Sequence, residues 1–144
     1  MTDFKLGNYP LRSTEKLRYR DMDTQGHVNN AVFSTLFEAA RVETFYNPQK
    51  PLTEPNHYFV VARISIDFLG ELIWPGEVEI GTRIASVGRS SMKIEQVLFQ
   101  NGRCAASAET VVVQMDKDSR SSCAIPAVTR EKLTPFLPQS AAIA

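Results

Sequence analysis

The sequence predicts an α+β fold in which one curled antiparallel β-sheet wraps around a single long central helix. Three observations carry this expectation. Between Asn29 and Tyr46 apolar residues recur at Ala31, Val32, Phe33, Leu36, Phe37, Ala39, Ala40, Val42, Phe45 and Tyr46, which covers most of a helix circumference rather than one stripe. A helix of that kind is a buried helix, and the sequence offers no second long helix to bury it. Downstream of it the pattern becomes one of extended strands, so the sheet must supply the cover. The competing arrangement, a helix lying on a flat sheet, would leave the far side of the helix wet.

The elements follow in order. Ser13 to Arg20 alternates weakly, with Leu17 and Tyr19 set against Lys16, Arg18 and Arg20, and reads as a first strand. Asp21 to Gly26 is polar and turn-rich. The helix then runs to Asn47-Pro48, which stops it. Pro48 to Asn56 holds three prolines and reads as a loop. Strands are expected at Tyr58 to Phe68, Glu77 to Val87, Met92 to Gln100 and Arg103 to Met115. Asn101-Gly102 between the last two is a hairpin signal, because both residues of that turn type need positive φ. Pro126 to Phe136 reads as a short terminal helix with proline in its first turn. No repeat or linker divides the chain, so residues 1–144 are expected to form one domain.

Composition narrows the function. Apolar residues make up 43% of the chain, enough for a packed core, and 16 Lys plus Arg balance 16 Asp plus Glu. A balanced chain has no global field to draw in a polyanion, so no nucleic-acid partner is expected. The stretch from Met1 to Pro10 is charged and lacks an apolar segment, so no secretory leader is expected. The densest apolar run, Tyr58 to Ala62, is too short for a bilayer, so no membrane partner is expected and the location is read as cytoplasmic. In that compartment Cys104 and Cys123 are expected as reduced thiols. Two histidines and two scattered cysteines form no metal-spaced cluster, and no metal or cofactor is expected.

The chemistry concentrates in Arg20-Asp21-Met22-Asp23-Thr24-Gln25-Gly26-His27-Val28-Asn29-Asn30, which joins the first strand to the helix. Gly26 allows a sharp turn, and Asn29 or Asn30 can cap the first helical turn. The free N–H groups there, with the helix dipole, favour developing negative charge. Asp23 stands a few residues before them. Together these parts suit acyl transfer, with a carbonyl oxygen at the helix N-terminus and a carboxylate to activate water or attack the carbon. The plainer alternative makes Asp23 a helix cap and His27 a packed surface residue. Asp21 is a rival carboxylate, read as a turn or ion-pair partner of Arg18 or Arg20. Glu38 and Arg41 stand three apart on the helix and can pair.

The string Asp21-x-Asp23-x-x-Gly26-His27-Val28-Asn29-Asn30, followed by Phe33, Phe37-Glu38 and Ala40-Arg41, resembles the hotdog-fold thioesterases. The likeness is to the 4-hydroxybenzoyl-CoA thioesterase-like branch and, at His-Val-Asn-Asn, to plant acyl-carrier-protein thioesterases. It extends through Val60-Val61-Ala62-Arg63, Asp67-Phe68-Leu69 and Val87-Gly88-Arg89-Ser90-Ser91, from about Leu17 to Leu133. The resemblance implies an acyl-CoA thioesterase releasing free acid and CoA. Asp23 matches the family's nucleophile or general base, and Asn30 the helix position whose N–H lies near the oxyanion. His27 matches a histidine that orients water in plant-type members. Those members carry asparagine where this chain has Gln25, which leaves His27 between a catalytic and a positional role.

Substrate contacts are expected from Gly26, Val61 and Arg63, and from Arg89, Ser90 and Ser91, where a cation and two hydroxyls suit a phosphate of CoA. Phe33, Phe37 and Phe59 are candidates for the acyl pocket. The resemblance further implies a homodimer or homotetramer, and a lone curled sheet would leave an edge strand exposed. Two other functions stay open on sequence: a hotdog dehydratase or hydratase acting on acyl thioesters, and a non-catalytic acyl-thioester binding protein.

Overall fold

The computed structural model describes residues 3–138. Its five strands form one antiparallel sheet in the order β1-β3-β4-β5-β2, with β1 spanning Leu11–Lys16, β2 His57–Phe68, β3 Glu77–Val87, β4 Ser91–Gln100 and β5 Arg103–Asp116. One long helix, α1 (Asn30–Phe45), lies against the concave face, and a short helix, α2 (Ala127–Leu133), follows the last strand. The expected curled sheet around one long helix is the architecture found.

Local chemistry accounts for most boundaries. The Asn29 side chain accepts a hydrogen bond from the Ala31 N–H at 2.9 Å and caps α1. Asn101 and Gly102 have φ of 52° and 78°, as the hairpin reading requires. The first strand departs from expectation. It occupies Leu11–Lys16 rather than Ser13 to Arg20, and a single turn of 3₁₀ helix, Tyr19–Asp21, replaces its second half. The cause is Asp21, whose carboxylate accepts the Arg18 N–H at 2.8 Å and the Arg18 guanidinium at 2.9 Å and so folds the chain back on itself.

Alternation places Val78, Ile80 and Ile84 of β3 and Met92, Ile94 and Leu98 of β4 on the concave face, where all are buried. They form two clusters along the helix. The first turns of α1 (Phe33, Leu36, Phe37) pack with Val78, Ile80, Leu98 and Ala106. The last turn (Phe45) packs with Ile84, Met92, Val112 and, from α2, Leu133. On the convex face the N-terminal segment seals a smaller cluster of Tyr9, Val97 and Phe99.

Burial of α1 is one-sided, where the sequence led to the expectation of a helix buried on most sides. Phe33, Leu36, Phe37, Ala40, Arg41 and Phe45 are buried, whereas Glu38, Val42, Glu43 and Tyr46 are exposed. The helix packs chiefly over β1 and β3, so the concave side of β2 stays bare, with Val61 51% and Phe68 49% exposed. The sheet curls over one side of the helix and stops.

Candidate active site

The loop between the Tyr19–Asp21 turn and α1 is a tight, self-braced hairpin. Met22 and Val28 form a bridge, the Asp23 N–H donates to the His27 carbonyl at 2.7 Å, and the Asn29 N–H donates to the Asp21 carbonyl at 2.9 Å. Gly26 turns the chain with φ 83°, in the left-handed region that favours glycine. The Asp23 carboxylate faces inward across this hairpin. Its Oδ1 accepts the N–H groups of Gln25 at 2.9 Å and His27 at 3.1 Å. Those two bonds, the one from His27 foremost, hold its carboxyl below the usual carboxylate range. Asp23 therefore braces the loop while Asn29 caps the helix, and Oδ2 has no hydrogen-bond partner among the described residues.

Asp23 borders an open cavity of about 530 Å³ that also takes in His27, Asn30, Phe33, Phe68 and Glu71. The expected catalytic trio of Asp23, His27 and Asn30 thus meets at one cavity, with Gly26 in the loop that forms its rim. The backbone N–H of Asn30, at the open end of α1, has no partner among the described residues. Phe33 and Phe68 meet edge to face, ring centroids 5.1 Å apart, and make the apolar wall. Of the three aromatic candidates, Phe33 alone lines the cavity. Phe37 is fully buried in the core, and Phe59 belongs to the cluster at the far end of the helix.

Two residues of the site escaped sequence reading. Glu71 accepts from or pairs with His27, Nε2 to Oε2 at 2.8 Å; its position just past a strand end gave no local sign of that partner. Phe68 could have been found, because Ile64, Ile66 and Phe68 alternate onto the concave face beside Thr110, Ala108 and Ala106. Asp21 takes the expected ion pair with Arg18. Burial alone would raise its carboxyl, but the Arg18 N–H and guanidinium outweigh that and hold it below the usual range. The expected Glu38–Arg41 pair does not form among the described residues. The buried Arg41 guanidinium instead donates to Gln96 Oε1 at 3.3 Å, because Arg41 points at the sheet and Glu38 at solvent.

The remaining expected substrate residues lie elsewhere in the fold. Val61 is exposed on the bare concave side of β2. Arg63 is on the convex side, bound to Glu109 at 3.2 Å. Arg89, Ser90 and Ser91 form the β3–β4 turn beside Val113, at the end of the sheet where α1 terminates. The length of β4, roughly 30 Å at about 3.3 Å per residue, separates that turn from the Asp23 cavity. Among the described residues no three His, Cys, Asp or Glu side chains converge as metal ligands, Cys104 and Cys123 are free thiols, and no helix is long and apolar enough to cross a membrane.

A sequence profile of the Thioesterase-like superfamily matches residues 17–133, a span that holds every residue of this cavity. The chain belongs to that superfamily. Solved structures agree with it. A thioesterase from Thermus thermophilus, complexed with coenzyme A and Zn, is 33% identical over 90% of this chain and 95% of its own, with a TM-score of 0.77. A predicted thioesterase from Bacillus stearothermophilus is 27% identical over 89% of this chain and 96% of its own, at 0.80. The PA5185 protein of Pseudomonas aeruginosa PAO1 is 27% identical over 92% and 95%, at 0.78. No curated protein matches the chain. This thioesterase-like chain has the hotdog fold, and its activity is thioester hydrolysis.

Proposed function

We propose that the protein hydrolyses acyl-CoA to free acid and CoA, with Asp23 as general base or nucleophile and the first turn of α1 as the oxyanion site. One observation carries this reading: the Asp23 carboxylate and the unpartnered Asn30 N–H border the same cavity. The Oδ2 of Asp23 keeps no partner among the described residues where Asp23 borders this cavity, so that oxygen is placed to attack the carbonyl carbon or to take a proton from water. The carbonyl oxygen, turned toward the helix end, gains negative charge where an amide and the helix dipole already point. The Phe33–Phe68 wall offers the acyl group an apolar seat. CoA as the thiol is supported by the coenzyme A bound in the Thermus relative.

The complete site is proposed to need a second copy. The β2 edge is open, and the concave side of that strand is bare. β2 starts at the end of the sheet that holds the Arg89-Ser90-Ser91 turn and finishes with Phe68 at the Asp23 cavity. Antiparallel pairing of two β2 edges reverses those ends. The turn of one copy then comes beside the cavity of the other, and Val61 becomes interfacial. A homodimer built this way, alone or doubled into a homotetramer, joins the acid, the oxyanion site and the phosphate-binding turn.

Release of thiol from a panel of acyl-CoAs of different chain length, followed with a chromogenic disulfide, tests the assignment. Asp23→Asn is expected to lower kcat by at least ~10²-fold with little change in substrate affinity. Unchanged turnover removes Asp23 from the mechanism. The His27–Glu71 pair is the feature a hydratase would use, so crotonyl-CoA hydration is measured on the same preparation. Hydration without hydrolysis would reassign the site.

A further inference from the structure

Helix α2 and its Arg130 belong to no part of the chemistry described so far, yet Arg130 holds the β3–β4 turn from behind. Its Nη2 donates to the carbonyls of Gly88 and of Arg89 (3.2 Å for the latter), and its Nε donates to the Ile125 carbonyl at 3.0 Å. The Arg89 carbonyl also accepts the Ile125 N–H at 2.8 Å, and the Ser90 carbonyl accepts the Gln114 N–H at 2.7 Å. Three successive carbonyls of the turn are therefore tied to the body of the protein. Their peptides are trans, and in a trans peptide the N–H points opposite to the C=O. The amides of Arg89 and Ser90 consequently face away from the protein, and neither has a partner among the described residues. Arg89 is exposed and Ser90 and Ser91 are half-buried in the same turn. Outward amides beside a guanidinium suit an anion. The clamp is well founded, because Thr129 and Leu133 on either side of Arg130 are fully buried.

We infer that Arg130 is a positioning residue for phosphate recognition: by holding the carbonyls of Gly88 and Arg89 inward, it presents the amides of Arg89 and Ser90 to a phosphate of the thiol carrier. The inference rests on the reading of the 88–91 turn as the CoA-binding turn. Without the guanidinium, the Gly88 carbonyl loses its tie and the Arg89 carbonyl keeps only the Ile125 N–H, so the outward amides are no longer held as a preformed pair.

Calorimetric titration with CoA and with pantetheine, which lacks the nucleotide and its phosphates, provides the test. Arg130→Met is expected to weaken CoA about tenfold and to leave pantetheine within about twofold. Arg130→Lys, which keeps the charge but cannot span two carbonyls, is expected to weaken CoA about threefold; it decides the question if the methionine variant fails to fold. Wild-type CoA affinity in a folded variant overturns the proposal, and so does an equal loss for CoA and pantetheine. Arg89→Ala is titrated alongside. If it weakens CoA and the Arg130 variants do not, only the positioning role fails; if none of them changes CoA affinity, the reading of the turn itself fails. Either result is independent of the turnover measured for Asp23→Asn.

Discussion

Two carboxylates two residues apart do different things here, and their hydrogen bonds decide which. Asp21 is buried and saturated, with both oxygens committed to Arg18. Asp23 commits one oxygen to two backbone amides and keeps the other available. Asp21 is thus a stability residue. Replacing it with asparagine is expected to cost about 1–3 kcal/mol, the range for a lost charge-assisted hydrogen bond and its stranded donor. The pH dependence has a definite sign. A carboxyl held lower in the folded than in the unfolded chain contributes stability above its unfolded value, and that contribution is lost as pH falls through the folded one. Urea melts of wild type and Asp21→Asn are expected to differ most near neutral pH and to converge as the acid range is entered. A constant gap down to strongly acidic pH would contradict the assignment.

At the scale of the element, packing on the convex face gives a sharper test. Gly81 in β3 lies under the N-terminal segment, where an added Cβ would sit 2.8 Å from Tyr9 Cβ. Tyr9 in turn lies under the Arg83 guanidinium, 4.4 Å from its ring centroid. Gly81→Ala is expected to push that segment off the sheet and to destabilise the fold by about 1–3 kcal/mol, with thermal melting as the readout. An unchanged melting temperature would mean that the segment moves freely. Much of this architecture was legible in the sequence for local reasons: Asn101-Gly102 dictates its own turn, and Asn47-Pro48 ends a helix whatever surrounds it. The Asp-Gly-His-Val-Asn-Asn string marked the site because all its parts are adjacent in the chain. What remained illegible depends on partners distant in sequence or on competition between neighbours. Arg18 and Asp21 override the strand that alternation suggested. The pairing of His27 with Glu71 spans a helix and a strand. The exposed face of α1 is set by where the sheet stops, which no helical pattern encodes.

For the whole molecule, the question is what closes over β2. Val61, Ile64 and Phe68 leave much of that strand's concave side exposed, Phe68 despite its contact with Phe33, and its backbone edge is unpaired among the described residues. Exposed apolar surface beside an open edge favours association. Ile64→Asp places a charge in the middle of the proposed junction and is expected to convert a dimer to a monomer, read by sedimentation, with loss of thioester hydrolysis in the same step. A fully active monomer would refute the shared site.

The separation of Asp23 from the Arg89 turn along the length of β4 has one further consequence. Suppose two preparations are made, one lacking the acid at position 23 and the other lacking the guanidinium at position 89, and both are assayed with substrate too dilute to fill the weakened phosphate site. After unfolding and refolding together in equal amounts, half of the pairs would be hybrids. Each hybrid carries one wholly intact centre and one doubly damaged one, so the intact centres alone should restore about a quarter of normal turnover. A site built within one chain could not be rescued by mixing.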